Sequence, residues 1–354
     1  MTKNQPLLEV EDLSITYRTG NDDVRAITEA SFTIENGEYL GLVGESGSGK
    51  STIAKAIIGG LDPNAEIVSG TIRLNGEEIQ SFSDVDFSEE IRWNKISYIP
   101  QASMDSLDPI MRISDQAQEL AEIHTEWTDK KALDRLKELF KVVGLPQARI
   151  HDYPHEFSGG MEQRALIALA LLLNPSMIIA DEPTTALDVI MQDQILQYLE
   201  EIKTEVDLSI LLITHDISVV FETCDSVAVL HGGQVAESGP ATALFDRPAH
   251  PYTYLLQRAF PDIRAPHQEL QTIGGKPPEL KSEVTECTFA ERCPWAVSDC
   301  RTSAPPLEEA GETGDHVTSC IRHEEIEEIG ETDRANSKES AVVDSSAIGG
   351  DGHE

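Results

Sequence analysis

The sequence predicts an α/β fold with an inserted helical subdomain and a small, loop-rich C-terminal domain. Three observations carry this. A short apolar run, Tyr39 to Val43, leads into the octapeptide Gly-Glu-Ser-Gly-Ser-Gly-Lys-Ser at 44–51, and a helical pattern follows from Thr52 to Ile58. Short apolar runs at 177–180 and 209–214 read as buried strands, with an amphipathic helix at 190–206 between them. From 115 to about 144 apolar residues recur three and four apart among charges, whereas residues 246–325 are proline-rich and hold a cysteine cluster.

Strand, loop and helix are the context in which G-x-x-x-x-G-K-[ST] forms a phosphate-binding P-loop. The glycines Gly44, Gly47 and Gly49 let the backbone wrap closely round a polyphosphate, with N–H groups turned inward. Ser46 and Ser48 belong to the same wrap, and Thr52 stands in the first turn of the helix, whose positive end faces the anion. Lys50 is placed to reach the β- and γ-phosphates, and the Ser51 hydroxyl to hold Mg²⁺. The expected fold is thus a P-loop NTPase core.

The remaining elements come in order along the chain. Leu7 to Tyr17 alternates apolar and polar residues, the mark of a half-buried strand, and Ala26 to Ile34 gives another. Asn36-Gly37 turns the chain into the P-loop strand. Thr71 to Leu74 ends in an Asn75-Gly76 turn, and Ile96 to Ile99 is stopped by Pro100, with Gln101 directly after it. Two or more helices fit 115–144. Ser158 is a suitable N-cap for a helix from Met161 to Leu173, which Asn174-Pro175 stops. The strand at 177–180 ends in Asp181-Glu182, and Ala186-Leu187-Asp188 lies on the next loop. His215 sits just past the strand at 209–214, and Val227 to Leu230 with Gln234 to Glu237 form a hairpin round Gly232-Gly233. The expected boundaries are 1–245 for the ATPase domain, with its helical subdomain at about 102–170, then 246–325 for a separate extension. An acidic, Ser/Gly-rich disordered tail is expected over 326–354.

Charge narrows the function. The 354 residues carry 63 acids against 27 bases, a net −36, spread along the chain. Such a surface repels nucleic acid and anionic headgroups, so neither is an expected partner. The N-terminus is polar, with no secretory leader pattern, and no apolar run reaches the ~20 residues needed to span a bilayer. A soluble intracellular protein is expected, whose role at a membrane goes through a partner.

Read together, six motifs in order resemble the ATP-binding subunit of ABC transporters. They are the P-loop, Gln101, Phe157-Ser158-Gly159-Gly160, Asp181-Glu182, Ala186-Leu187-Asp188 and His215. Three stretches narrow the resemblance to the dipeptide/oligopeptide importer ATPases: Gln101 to Pro109, the signature Phe157 to Arg164, and Phe245 to Thr253. Glu162 departs from the family's usual basic or amide residue. The resemblance implies that Asp181 and Gln101 meet Mg²⁺ and that Glu182 deprotonates the attacking water. It further implies that His215 contacts the γ-phosphate and holds Glu182. Tyr17 would stack on adenine, although a core tyrosine at a strand end competes with that role. Ser158 and Gly160 would complete the ATP site of an opposite subunit, and Asp188 would act across the same interface. Two ATP molecules would then lie in a head-to-tail dimer with an identical or paralogous ATPase. The dimer would drive two membrane permease subunits from the cytoplasmic face, and an extracellular binding protein would deliver the solute. A non-transport ABC ATPase of the repair or translation class is an alternative, but repair types carry long coiled coils and translation types tandem cores. A regulatory nucleotide-binding module without turnover is another, which Glu182 and His215 argue against.

Cys287, Cys293, Cys300 and Cys320 are spaced too widely for zinc pairs two to four residues apart. A reducing cytosol disfavours disulfides. The four thiolates surround an iron–sulfur cluster, which the resemblance implies and which could be a [4Fe-4S] cubane, or hold a zinc as a staple, or are reduced thiols packed in a small core.

The acidic surface also resembles that of salt-accumulating halophiles and points to a halophilic archaeon as the source. At about 1 M salt the Debye length falls to about 3 Å, which screens repulsion between surface carboxylates. Unfolding midpoints are therefore expected to rise steeply from low salt to molar KCl; a midpoint flat across that range would sink this reading.

Overall fold

The computed structural model describes residues 5–20, 23–101, 106–184, 189–206, 208–259, 273–278, 280, 284–311, 314–326 and 328–329. Strands β1 (Leu8–Tyr17) and β2 (Val24–Ile34) open the chain, followed by β3 (Tyr39–Val43) and helix α1 (Lys50–Ile57). Then come β4 (Ala65–Leu74), β5 (Glu77–Glu78), α2 (Asp84–Glu90) and β6 (Ile96–Ile99). The next stretch is helical: α3 (Ile113–His124), α4 (Asp129–Val142) and α5 (Gly159–Ala170). The chain returns to strands with β7 (Met177–Asp181), α6 (Val189–Val206), β8 (Ser209–Thr214), α7 (Ile217–Thr223), β9 (Ser226–His231) and β10 (Gln234–Pro240). Helices α8 (Ala241–Asp246) and α9 (Pro251–Ala259) and the short strands β11 (Glu308–Glu309) and β12 (Val317–Thr318) complete it.

Two sheets result. β2-β1-β4-β5 is antiparallel, and the larger sheet runs β11-β12-β10-β9-β3-β8-β7-β6. Within the larger sheet β6, β7, β8, β3 and β9 are parallel. Parallel strands are covered on both faces and so read as unbroken apolar runs; every residue of β3 and β7 is buried. Alternate residues serve two separate cores. Leu40, Leu42, Ile179 and Ile213 pack with α1 and the small sheet. Tyr39, Val43, Ile178 and Leu212 pack with α3–α5, α7 and α9. At Gly41 an added Cβ would stand 2.1 Å from Val220 Cγ1, so α7 rides directly on β3 there.

Most strands stand where the sequence puts them, and the differences have local causes. β4 begins at Ala65, not Thr71, because its exposed first half is held by backbone pairing with β1 and not by burial. α5 starts immediately after Ser158 and ends near Leu171; Ser158 has N-cap dihedrals but makes no side-chain capping bond. α2, too short to show a period, is fixed by Ser83 Oγ, which accepts from Asp86 N at 3.2 Å. Asp216 caps α7 in the same way, accepting from Ser218 N at 2.9 Å. α9 starts on Pro251, a position where the missing N–H is not needed.

The sequence sets residues 246–325 apart, yet in the structure they join the body. β12 pairs with β10, extending the large sheet, and Tyr252, Leu255, Phe289 and Ile326 lie in the same core as the helical stretch. Ile326 is fully buried, and the tail from 330 onward lies outside the described residues. Glu237 on β10 is the joint. Its fully buried carboxylate accepts from Ala249 N at 2.7 Å, His250 N at 2.9 Å and His316 Nε2 at 2.7 Å. Glu237→Ala strips an acceptor from three buried donors and is expected to cost on the order of 3 kcal/mol. Thermal or urea unfolding of the variant beside exposed Glu308→Ala measures this, and equal midpoints would remove Glu237 from that role.

Candidate functional site

The parallel strands deliver the site from their C-terminal ends. β3 opens into the loop 44–49, α1 begins at Lys50, and the backbone is left-handed at Gly47 (φ 81°) and Gly49 (φ 107°). Gly44 passes so close to β9 that a Cβ would stand 2.1 Å from Leu230 O. The loop is pinned by Ser48 N donating to Glu45 O at 3.2 Å and by Gly233 N donating to Ser48 O at 3.1 Å. The Lys50 ammonium is buried and donates to Gly44 O at 2.7 Å and Glu45 O at 3.0 Å. Burial lowers its pKa, and the charges of Glu182, Asp181 and Glu45 work against that.

β7 ends on Asp181, which is 2% exposed. Tyr98 Oη donates to its Oδ2 at 3.1 Å, whereas among the described residues the buried Oδ1 has no hydrogen-bond partner. Burial raises the Asp181 pKa; the nearby Ser51 and Tyr98 hydroxyls pull it back, and Glu182 pushes it further up. A buried carboxylate oxygen without a donor, beside the first hydroxyl of α1 and next to a P-loop, fits a hard divalent cation. MgATP supplies such a cation.

Glu182 comes next in a left-handed conformation (φ 48°), unusual for a side chain of its kind and a strain of about 1–2 kcal/mol. Its N–H donates to Ile213 O at 2.8 Å, which fixes the turn to β8. The carboxylate is clamped from two sides. Gln101 Nε2, after β6, donates to Oε2 at 2.7 Å; His215 Nδ1, after β8, lies 3.2 Å from Oε1. The structure thus gathers Lys50, Ser51, Asp181, Glu182, Gln101 and His215, which span more than half of the described chain.

The other expected residues take different places. Tyr17 ends β1 with its hydroxyl 3.5 Å from Thr52 Oγ1 and 3.4 Å from Asp62 Oδ2, over the start of α1. Exposed Ser158 and buried Gly160 open α5; among the described residues no hydrogen bond joins them to the loop. Glu162 stands in the first turn of α5, where the helix end favours an acid. Ser46 is exposed within the loop, and Asp188 lies outside the described residues. Cys287, Cys293, Cys300 and Cys320 are free thiols lining one cavity of about 20 Å³, room for about one water. Burial pushes the Cys293 thiol up to about 11 and the Cys320 thiol to about 12. Among the described residues no three Cys, His, Asp or Glu side chains form a metal-ligating group.

Sequence reasoning missed one contact with the loop. Arg292, from the C-terminal extension, grips the Glu45 carboxylate with both terminal nitrogens, at 2.6 and 2.8 Å. Tyr252 Oη accepts from Glu45 N at 2.9 Å. No local signal marks this pair, since 247 residues separate its members.

Comparison with known proteins places the chain by family and fold. A family model described as "ABC transporter" matches residues 27–185, and one described as "Oligopeptide/dipeptide transporter, C-terminal region" matches 236–300. The oligopeptide transport ATP-binding protein OppD of Escherichia coli is 44% identical over 305 residues, 86% of this chain and 90% of that protein. A probable peptide ABC transporter ATP-binding protein of Sinorhizobium fredii is 40% identical over 90% of this chain and 96% of its own length. Among solved structures, a dimeric ATP-binding cassette in a post-hydrolysis state with ADP and Pi aligns with TM-score 0.57 at 27% identity. That alignment covers 66% of this chain and 98% of that one. The chain cbiO1 from Clostridium perfringens, part of the ABC transporter complex cbiONQ, aligns with TM-score 0.60 at 26% identity, covering 68% and 91%. Among the described residues no helix is long and apolar enough to cross a membrane.

Proposed function

The chain belongs to the ATP-binding subunits of ABC transporters of the oligopeptide/dipeptide family, and from that premise we propose how it works. It binds and hydrolyses ATP to power import of a di- or oligopeptide. The observation that carries the reading is Glu182 clamped between Gln101 and His215 at the end of β7, one strand away from the β3 that opens into the Lys50 loop. Lys50 leaves Gly44 O and Glu45 O to meet the β- and γ-phosphates, while the inward N–H groups of 44–49 cradle the rest. Tyr17 lies under the adenine, at the start of α1. Ser51, Asp181 and Gln101 would hold the Mg²⁺ that arrives with ATP, and the ion would offset charge on the phosphates. Glu182 accepts the proton of the attacking water; Gln101 and His215 fix its two oxygens so that one orientation is held.

Ser158 and Gly160 serve the site of a second ATPase subunit, and Asp188 acts at the same interface. Support comes from the place of Ser158 and Gly160 at the opening of α5 and from the dimeric cassette that the chain resembles in fold. We place the chain at the cytoplasmic face of the membrane, joined to two permease subunits. Residues 1–245 act as the ATPase unit, with 102–170 as its helical subdomain, and 246–325 as the extension. The net −36 is read as adaptation to molar salt.

The four clustered thiols are proposed to hold an iron–sulfur cluster that staples the extension. Their convergence on one cavity supports this. Protein purified without oxygen is expected to be brown with about four iron atoms per chain; colourless, iron-free protein would leave the thiols as plain core.

The hydrolytic role is tested at Glu182. Glu182→Gln keeps the shape and an acceptor but removes the base. ATP binding is expected to persist while turnover falls by about 10²–10⁴, the usual worth of a general base. Near-normal phosphate release by the variant would take Glu182 out of that role.

A further inference from the structure

Glu45, the first residue after Gly44, is held at every polar group. Its N–H goes to Tyr252 Oη, its carbonyl accepts from Lys50 Nζ and Ser48 N, and its carboxylate takes both terminal nitrogens of Arg292. Two of these anchors come from the C-terminal extension. Arg292 is only 4% exposed against 27% for Glu45, so the pair is shielded where it matters. Such a bidentate pair fixes direction as well as distance. The anchors are themselves braced. Arg292 Nε donates to Gly274 O at 2.9 Å, and Nη1 lies 3.2 Å from His231 Nε2. His231 Nδ1 bonds Thr288 Oγ1 at 3.0 Å, and Phe289 packs its ring on both His231 and Tyr252. His231 ends β9, the strand whose Leu230 carbonyl already crowds Gly44.

The loop needs such bracing. Three of its six residues, 44–49, are glycine with positive φ, so it has little side-chain packing and a large entropy to lose on wrapping a polyphosphate. Ordering it in advance raises affinity by removing that cost from the binding step.

We propose that Arg292 and Tyr252 are positioning residues of the nucleotide site: they act through Glu45 to hold the phosphate-binding loop in its receptive shape, so the C-terminal extension is a working part of that site. This rests on the reading that 44–51 binds ATP. It goes further in assigning to the extension a share in nucleotide affinity, and in making Glu45 a residue that faces away from the phosphates.

The full chain is titrated calorimetrically with ADP, which carries phosphates for the loop but is not turned over. Arg292→Gln and Glu45→Gln are each expected to weaken ADP binding about tenfold, the scale of a lost preorganisation. The double variant is expected to stay within about twofold of the weaker single, because both changes cut one link. Arg292→Lys keeps the charge without the fork and should recover part of the loss. The unfolding midpoint of Glu45→Gln without nucleotide should stay near that of the parent. Wild-type affinity in Glu45→Gln overturns the proposal, and it decides alone if Arg292→Gln fails to fold. Losses that multiply in the double variant, or a lowered midpoint with unchanged affinity, also overturn it, since Arg292 would then act elsewhere or serve only as glue. A parent chain that binds neither ADP nor ATP would instead bring down the nucleotide reading and this proposal with it.

Discussion

The register of four parallel strands sets everything else in the molecule. Val43 is level with Thr214, Asp181 with Ile213, and Ile99 with Ala180, so β3, β8, β7 and β6 end in one row. The residues just past these ends are therefore brought to one place: the phosphate-binding loop, His215, Glu182 and Gln101. Ligand sites of open α/β sheets lie outside the carboxyl ends of the strands for this reason. A slip of one residue in any of these pairs would turn each side chain to the opposite face and feed the wrong core. Burial on both faces makes such a slip costly, and this is what allows hydrogen bonds of 2.7 and 3.2 Å to be assembled from three different strand ends.

The electrostatics of the row are arranged for an anion and a cation that arrive together. Lys50, a buried base, rests on two carbonyls and not on a carboxylate. Asp181 keeps one buried oxygen without a donor among the described residues, and Glu182 sits in a strained left-handed turn. Each feature costs stability in isolation. A buried acid without a full set of donors and a non-glycine residue at positive φ both persist only where the surrounding sheet over-determines them. Positive φ recurs at Asp12, Glu29, Asn75, Trp93 and Asn174, but at Asp181 and Glu182 the cost falls on residues that the proposed chemistry uses.

The extension changes the picture of a catalytic core with an appendage. Glu237 ties β10 to the start of α9 and to His316, and Arg292 ties the same region to the loop over Gly44. The thiol cavity shares Phe289 and His250 with this framework. A change in packing round the thiols therefore has a short physical route to Tyr252 and Glu45, through rings in direct contact.

The sequence by itself determined the buried strands, the loop and the order of the motifs, while the parallel pairing of the strands came from the tertiary structure. The former are local: an apolar run of five residues, a glycine spacing or an acid pair after a strand is written in neighbouring residues. It also determined the family, because six such signals in order leave little room for another fold. Short helices such as α2 and α7 were not legible, since they are fixed by single capping side chains and not by a repeating pattern. The clamp on Glu182 and the grip of Arg292 on Glu45 were decided only by tertiary structure. Their partners lie 33, 81 and 247 residues apart. A hydrogen bond between residues so distant is set by where two strands or turns meet in space, and no periodicity in the chain records that meeting.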